Sequence, residues 1–341
     1  MIESILLGGG NGFGESILMV FPNGDIGIID SCINPKTKKA LSLEYLDENI
    51  LTYDKVKFVI LTHFHQDHYT GISQIINLCD NVEIFTSAAL YTENFNFLFH
   101  SLLQISSSSN PYRELKTILD ICLDKGKIIN ILSDISKPIL QSNGLIVKSH
   151  SPNDKTIEHF DSLYKSHSQK LLTESAYIPN KKDFNLQSIV ITIESNHGNI
   201  IYGADMEYHD NSIGWSPVFT DINDRTFLIF KISHHGSQNG YQKTDCDKIL
   251  EDNCFLKLSP YSRSKLPKDE MVTNFKTHSD ELFSTSSGNS EYKKHPSKLN
   301  SWLKDLKIEM KRVNKTAKGS INFKLQQNTI TAFLGGTAAK L

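Results

Sequence analysis

Four side chains able to ligate a metal ion stand within six residues in the run Leu61-Thr62-His63-Phe64-His65-Gln66-Asp67-His68. The apolar stretch Val56 to Leu61 just before them reads as a buried strand. Side chains two apart on an extended backbone share a face, so His63 and His65 can hold one ion together. Asp67 and His68 follow where the chain turns off the strand, and can aim at a second ion beside the first. Imidazole with carboxylate suits zinc, and also iron or manganese. A chance pair of surface histidines would not bring a third His and an Asp at strand-end spacing.

Further candidate ligands stand where other apolar runs end. Asp30 ends the apolar run Ile26 to Ile29 and can accept an imidazole N–H, fixing the tautomer and raising ligand basicity. Thr62, beside His63, can join that network. Asp205 closes the apolar run Ile200 to Ala204, where burial without cationic partners would be costly. His234 and His235 follow Phe230-Lys231-Ile232-Ser233 and precede Gly236, which lets the backbone turn sharply. Lys231 and Ser237 beside them are candidate phosphate contacts, although Ser237 to Gly240 is also the composition of an ordinary turn.

The H-x-H-x-D-H run of His63 to His68 is the signature of the metallo-β-lactamase superfamily, and the chain resembles that family over residues 2 to 290. Ile26-Gly27-Ile28-Ile29-Asp30-Ser31 resembles the family's strand ending in Asp, and Ile200 to Asp205 its strand whose last Asp bridges two metals. Phe230 to Ser237 resembles the strand and SHHGS turn of the ComEC-type branch, the DNA-uptake nucleases. Gly8 to Leu18 matches that branch's Gly-rich first hairpin. The resemblance implies an αββα sandwich and two divalent cations, zinc first, with manganese or iron as alternatives. It implies His63, His65, Asp67, His68, His150, Asp205 and His235 as ligands, with Asp205 between the ions. One His of the pair ligates and the other meets the substrate, and we assign His235 and His234 to those roles. His150 ends the strand Leu145 to Lys148, where the family supplies a third His to the first ion; a surface loop His fits the same position.

Two cations roughly 3.5–4 Å apart share a hydroxide whose pKa falls toward neutrality, and both polarise the bond to be cleaved. The expectation is a metallohydrolase using that metal-bridging hydroxide, with Asp67, Asp205 and His234 as catalytic residues. His234 is the candidate acid for the leaving oxygen. A phosphodiester in nucleic acid is the first substrate class. A small-molecule ester, lactone or phosphocholine-type hydrolase is the second reading. The third is a metal-stabilised partner-binding subunit of a larger complex, for instance one acting in defence against foreign DNA.

The chain has 341 residues and a net charge of −2, which exerts no global pull on nucleic acid or membrane. Its five cysteines are odd in number and never in C-x-x-C spacing, as in a reduced cytosolic protein. No apolar run approaches the ~18 residues of a membrane span, and the start has no signal-peptide pattern. The expected organisation is one domain over residues 1–290, with insertions at 88–125 and 151–187. Helices are expected over 36–50, from Thr70 to Leu78, and in two pieces over 88–125, with Asn110 as N-cap and Pro111 opening the second. A basic C-terminal extension over 291–341 completes the chain, packed on the domain or appended to it. Residues 291 to 324 carry ten Lys/Arg against three acids, with Tyr292, Trp302 and Phe323 interleaved. That composition is compatible with a phosphate-backbone contact, while a solvated basic helix is the commoner explanation of such a bias.

Overall fold

The computed structural model describes residues 1–9, 14–104, 112–142, 144–174, 182–286, 318–327 and 329–341. Strands β1 (Ile2–Gly9), β2 (Glu15–Val20), β3 (Ile26–Ile29), β4 (Val56–Leu61), β5 (Glu83–Ser87) and β6 (Ile129–Leu132) build most of one sheet. A second sheet takes β7 (Leu140–Ser142), β8 (Leu145–Ser149), β9 (Ile191–Ser195), β10 (Ile200–Tyr202), β11 (Phe227–Lys231), β12 (Leu250–Leu258) and β13 (Leu282–Ser284). The chain then returns: β14 (Lys318–Gln326) and β15 (Thr329–Gly336) join the first sheet beside β1, and β16 (Ala339–Lys340) joins the second beside β13. Among the described residues each sheet thus has eight strands.

Alternation along the strands sorts the apolar side chains into three cores. Leu6, Ile60, Val147, Ile193, Ile229 and Phe323 lie between the sheets. Ile5, Leu7, Val59 and Leu61 point the other way, against the helices α1 (Leu41–Glu48), α3 (Ile72–Leu78), α4 (Glu93–Gln104), α5 (Arg113–Asp124) and α6 (Asp154–Thr173). The short helix α2 (Gln66–Tyr69) carries Asp67 and His68. Phe230, Leu256 and Leu258 pack against α7 (Trp215–Ile222), α8 (Lys243–Ile249) and α9 (Asp269–Lys276). The layers run helix, sheet, sheet, helix, so the expected αββα sandwich is the architecture found.

One region differs from the sequence reading. The last described residues are not an appendage: β14 runs antiparallel to β1 with Ile2 opposite Leu325, and puts Ile321, Phe323 and Leu325 into the inter-sheet core. Phe323 is therefore not an aromatic of a phosphate-binding surface. Lys324 pairs with Glu3, and Lys318 with Glu44 and Glu48, so neither is an unpaired cation. The rest of the basic stretch, residues 291–317, lies outside the described residues, as do Asn110 and Pro111. The helix expected to start at Pro111 is described from Arg113.

Phe323→Ala should lower stability by about 3–5 kcal/mol, the range for deleting a buried aromatic ring. Urea unfolding would show it as a lower midpoint at unchanged slope. A loss below about 1 kcal/mol would contradict its place in the core. All five cysteines are buried and unbonded. Among the described residues no helix is long and apolar enough to cross a membrane.

Candidate metal centre

Ligand-type side chains from five segments meet at one edge of the sandwich. β4 runs straight into His63 and His65, whose Nε2 and Nδ1 lie 3.1 Å apart. His65 is still extended and stands at the N-terminal end of α2, which then turns Asp67 and His68 inward. Gly14, at φ +107°, lets the first hairpin press on that loop, since a Cβ there would sit 2.1 Å from the Asp67 carbonyl oxygen. Asp205 follows β10, and His235 follows β11.

The ligand atoms of His63, His65 and Asp205 lie within 4.8 Å of one another, and so do those of Asp67, His68 and His235. Asp205 stands between the groups: its Oδ2 is 3.9 Å from His63 Nε2 and 3.5 Å from His235 Nε2, and its Oδ1 is 3.4 Å from His68 Nε2. Asp67 Oδ2 is 3.2 Å from His235 Nε2.

Partners behind the rings fix which nitrogens face inward. Asp30 accepts from the Thr62 amide (2.8 Å) and hydroxyl (2.7 Å), and its Oδ2 lies 2.7 Å from His68 Nδ1. The Ser259 carbonyl, 2.8 Å from His235 Nδ1, can only accept, so that nitrogen carries the proton. Both rings are left with Nε2 pointing at the acids. Tyr261 stacks on His235 with centroids 5.0 Å apart.

Electrostatics follow from this crowding. Burial, with the neighbouring His68 and His65 charges, holds His63 well below the usual imidazole range. Burial acts the same way on His68, but Asp205 and Asp30 outweigh it and raise its pKa well above the ordinary value. His235 is likewise raised, burial being overcome by Asp205 and Asp67. Asp67 and Asp205 are both lowered: burial opposes ionisation, and the His235 and His68 interactions outweigh it.

The residues fit a metal centre. Among the described residues His68 Nε2 and Asp205 Oδ1 are buried with no hydrogen-bond partner, although they aim at the same space. Buried polar atoms are rarely left so. Histidine nitrogens and carboxylate oxygens are the donor set of zinc and its neighbours. His63, His65 and Asp205 could hold one cation, and Asp67, His68, His235 and Asp205 a second.

Two expected site residues are not brought into this cluster. His150, expected as the third histidine of the first ion, is buried elsewhere with both ring nitrogens engaged. Its Nδ1 meets Asp221 at the end of α7, and its Nε2 is 2.8 Å from Thr192 Oγ1. Lys231, expected to touch phosphate, is fully buried. Its ammonium pairs with Glu15 and donates to the Ala204 carbonyl at 3.0 Å, because β11 directs it between the sheets.

His234 and Ser237 sit at the rim. His234, His235 and Gly236 all have positive φ (44°, 53° and 77°), and this turn points the two imidazoles apart. His234 Nδ1 lies 2.7 Å from Glu207 Oε1 and 2.9 Å from the Ser237 hydroxyl. Ser237 Oγ also accepts from the Gly240 amide at 3.2 Å, so it braces the turn as well. Asn185 Nδ2 approaches both His234 Nε2 (3.2 Å) and Glu207 Oε1 (2.7 Å). Burial would raise the Glu207 pKa, but the bonds from His234 and Asn185 lower it.

Sequence reasoning missed Glu207, Asn185, Tyr261 and Glu15 as site residues. Glu207 carried a signal, standing two residues past a strand-end Asp. Asn185 and Tyr261 carried none, since each lies in a polar segment without a motif.

No protein-family model and no curated protein matches the chain. Among solved structures, the metallo-β-lactamase fold protein YhfI from Bacillus subtilis is 12% identical, with 84% of this chain and 97% of that one covered at a TM-score of 0.43. The short form of human tRNase Z is 10% identical over 68% and 76% of the two chains, with a TM-score of 0.38. A subclass B3 metallo-β-lactamase from a soil metagenome library is 10% identical over 68% and 81%, with a TM-score of 0.35. Read from its own sheets, helix layers and strand-end cluster, the chain has the αββα architecture of the metallo-β-lactamase fold.

Proposed function

We propose that the protein is a dinuclear metal-dependent phosphodiesterase, its closer kinship being with the ComEC-type nucleases. The observation that supports this most is Asp205, a buried carboxylate within 4 Å of His63, His68 and His235, which belong to two ligand groups. Bound divalent cations would supply an activated water and screen the charge of a phosphoryl group.

The chain's own residues supply the remaining work. Asp205 and Asp67 hold the charge balance of the site. Asp30 and the Ser259 carbonyl keep the His68 and His235 rings turned so that Nε2 faces inward. Cleavage leaves an alkoxide on the departing group, which needs a proton. His234 stands at the rim, its ring centroid 6.2 Å from that of His235. Glu207 Oε1, 2.7 Å from Nδ1, orients the ring, and His234 is the group we assign to deliver that proton.

That assignment predicts a leaving-group dependence. With zinc or manganese added, His234→Ala should lose about 10²–10⁴-fold in kcat on a dinucleotide or methyl-ester diester. On a p-nitrophenyl diester, whose leaving group needs no proton, the loss should be far smaller. Equal losses on both would remove His234 from the acid role. A metal-loaded protein inert on DNA, RNA and model diesters, yet active on a lactone or a phosphocholine-type ester, would replace the substrate class.

A further inference from the structure

Beneath the ligand cluster lies a buried pair of charges that the proposed chemistry does not use. Glu15, first residue of β2, and Lys231, last of β11, are fully buried and form an ion pair across the two sheets. The lysine belongs wholly to the interior, its second contact being the Ala204 carbonyl next to Asp205. The carboxylate is different. Its Oε1 is 4.0 Å from His68 Nδ1 and its Oε2 is 3.8 Å from His235 Nδ1. It hydrogen-bonds to neither ring, because Asp30 and the Ser259 carbonyl already occupy those nitrogens. Oε2 is buried with no hydrogen-bond partner among the described residues. Glu15 therefore stands behind the two histidines of one ligand group, with its ligand-type oxygen within 4.8 Å of those of His68 and Asp205. It stands behind neither His63 nor His65 in any such group.

We propose that Glu15 is a positioning residue whose charge, set against that of Lys231, fixes how tightly the site formed by Asp67, His68, His235 and Asp205 retains its cation. This rests on the metal-centre reading above. The physical basis is long-range attraction in a poorly screened interior, where a carboxylate behind the ligands favours a bound cation and an ammonium opposes it. As a pair the two nearly cancel. Removing one partner unmasks the other, so the two single removals act on the cation in opposite directions.

The opposite signs separate this role from a structural one. Breaking a buried ion pair from either side destabilises the fold, so a purely structural pair would weaken metal binding in both variants. The experiment measures the dissociation constants of both zinc ions by competition with a chromophoric chelator, with urea stability measured in parallel. Glu15→Gln should weaken retention of one of the two ions by about 10–100-fold, the range for partners one step out from a metal. Lys231→Met should tighten the same ion, and the other ion should change little in either variant. The double variant Glu15→Gln/Lys231→Met, which leaves no unpaired charge, should recover stability and bind that ion with near wild-type affinity. Shifts of the same sign in the two single variants, or none in either, would overturn the proposal. A wild type that binds fewer than two ions would instead overturn the dinuclear centre on which it rests.

Discussion

Asp205→Asn should strip the protein of at least one of two bound ions and lower diester turnover by more than about 100-fold. The threshold comes from partners one step removed from a metal, whose loss costs roughly 10–100-fold; a residue shared by both ligand groups must exceed it. The amide keeps the volume of the carboxylate, so packing between Gly203 and the His234 turn survives. What disappears is the charge that faces His63, His68 and His235 together. Elemental analysis and a diester assay on the same preparation read both consequences. Two retained ions with near wild-type turnover would mean that Asp205 is only a strand-end acid.

Asp30→Ala should damage both stability and metal retention, and Asp30→Asn should separate the two. Alanine leaves the buried Thr62 amide and hydroxyl without their acceptor, at about 1–3 kcal/mol for an unsatisfied group. It also puts an alanine at φ +56°, where the left-handed backbone costs a further 1–2 kcal/mol or so. Asparagine tolerates that backbone and can still accept from the Thr62 amide, so much of the stability should return. It carries no charge to hold the His68 Nδ1 proton, so metal affinity should stay about 10–100-fold down. Urea midpoints and chelator competition on the two variants test this; an Asp30→Asn protein with wild-type metal affinity would reduce Asp30 to a strand cap.

The parts of the site legible in sequence were those set by local geometry. A strand followed by a tight loop projects His63, His65, Asp67 and His68 to one edge whatever surrounds it, and Asp30 and Thr62 end strands that pair side by side. The sandwich was expected from the family resemblance that the H-x-H-x-D-H pattern carries. What escaped depended on distant partners. Lys231 looks like a site-facing cation on its own strand, and only Glu15, from the opposite sheet, shows that it points inward. His150 ends a strand as expected, yet Asp221 and Thr192 turn its ring away from the cluster. In the C-terminal segment the charge bias hid an alternation that was present: Ile321, Phe323 and Leu325 point inward while Ser320, Asn322 and Lys324 lie between them.

The pairing of β14 with β1 also bears on how the molecule is made. Strand β1, Ile2 to Gly9, has on one side the hairpin partner β2 and on the other β14, which is synthesised long after it. Until β14 is synthesised, one edge of β1 stays open and the inter-sheet core lacks Ile321, Phe323 and Leu325. All the candidate ligands of the proposed metal centre exist well before that point, so they are synthesised ahead of the enclosure that buries them. Contacts this non-local are slow to form, and an open strand edge invites pairing with other chains meanwhile. Ribosome-stalled chains ending before Lys318 should therefore be protease-sensitive, and chains extended through β14 and β15 should gain their resistance late, in one step with closure of the sheet.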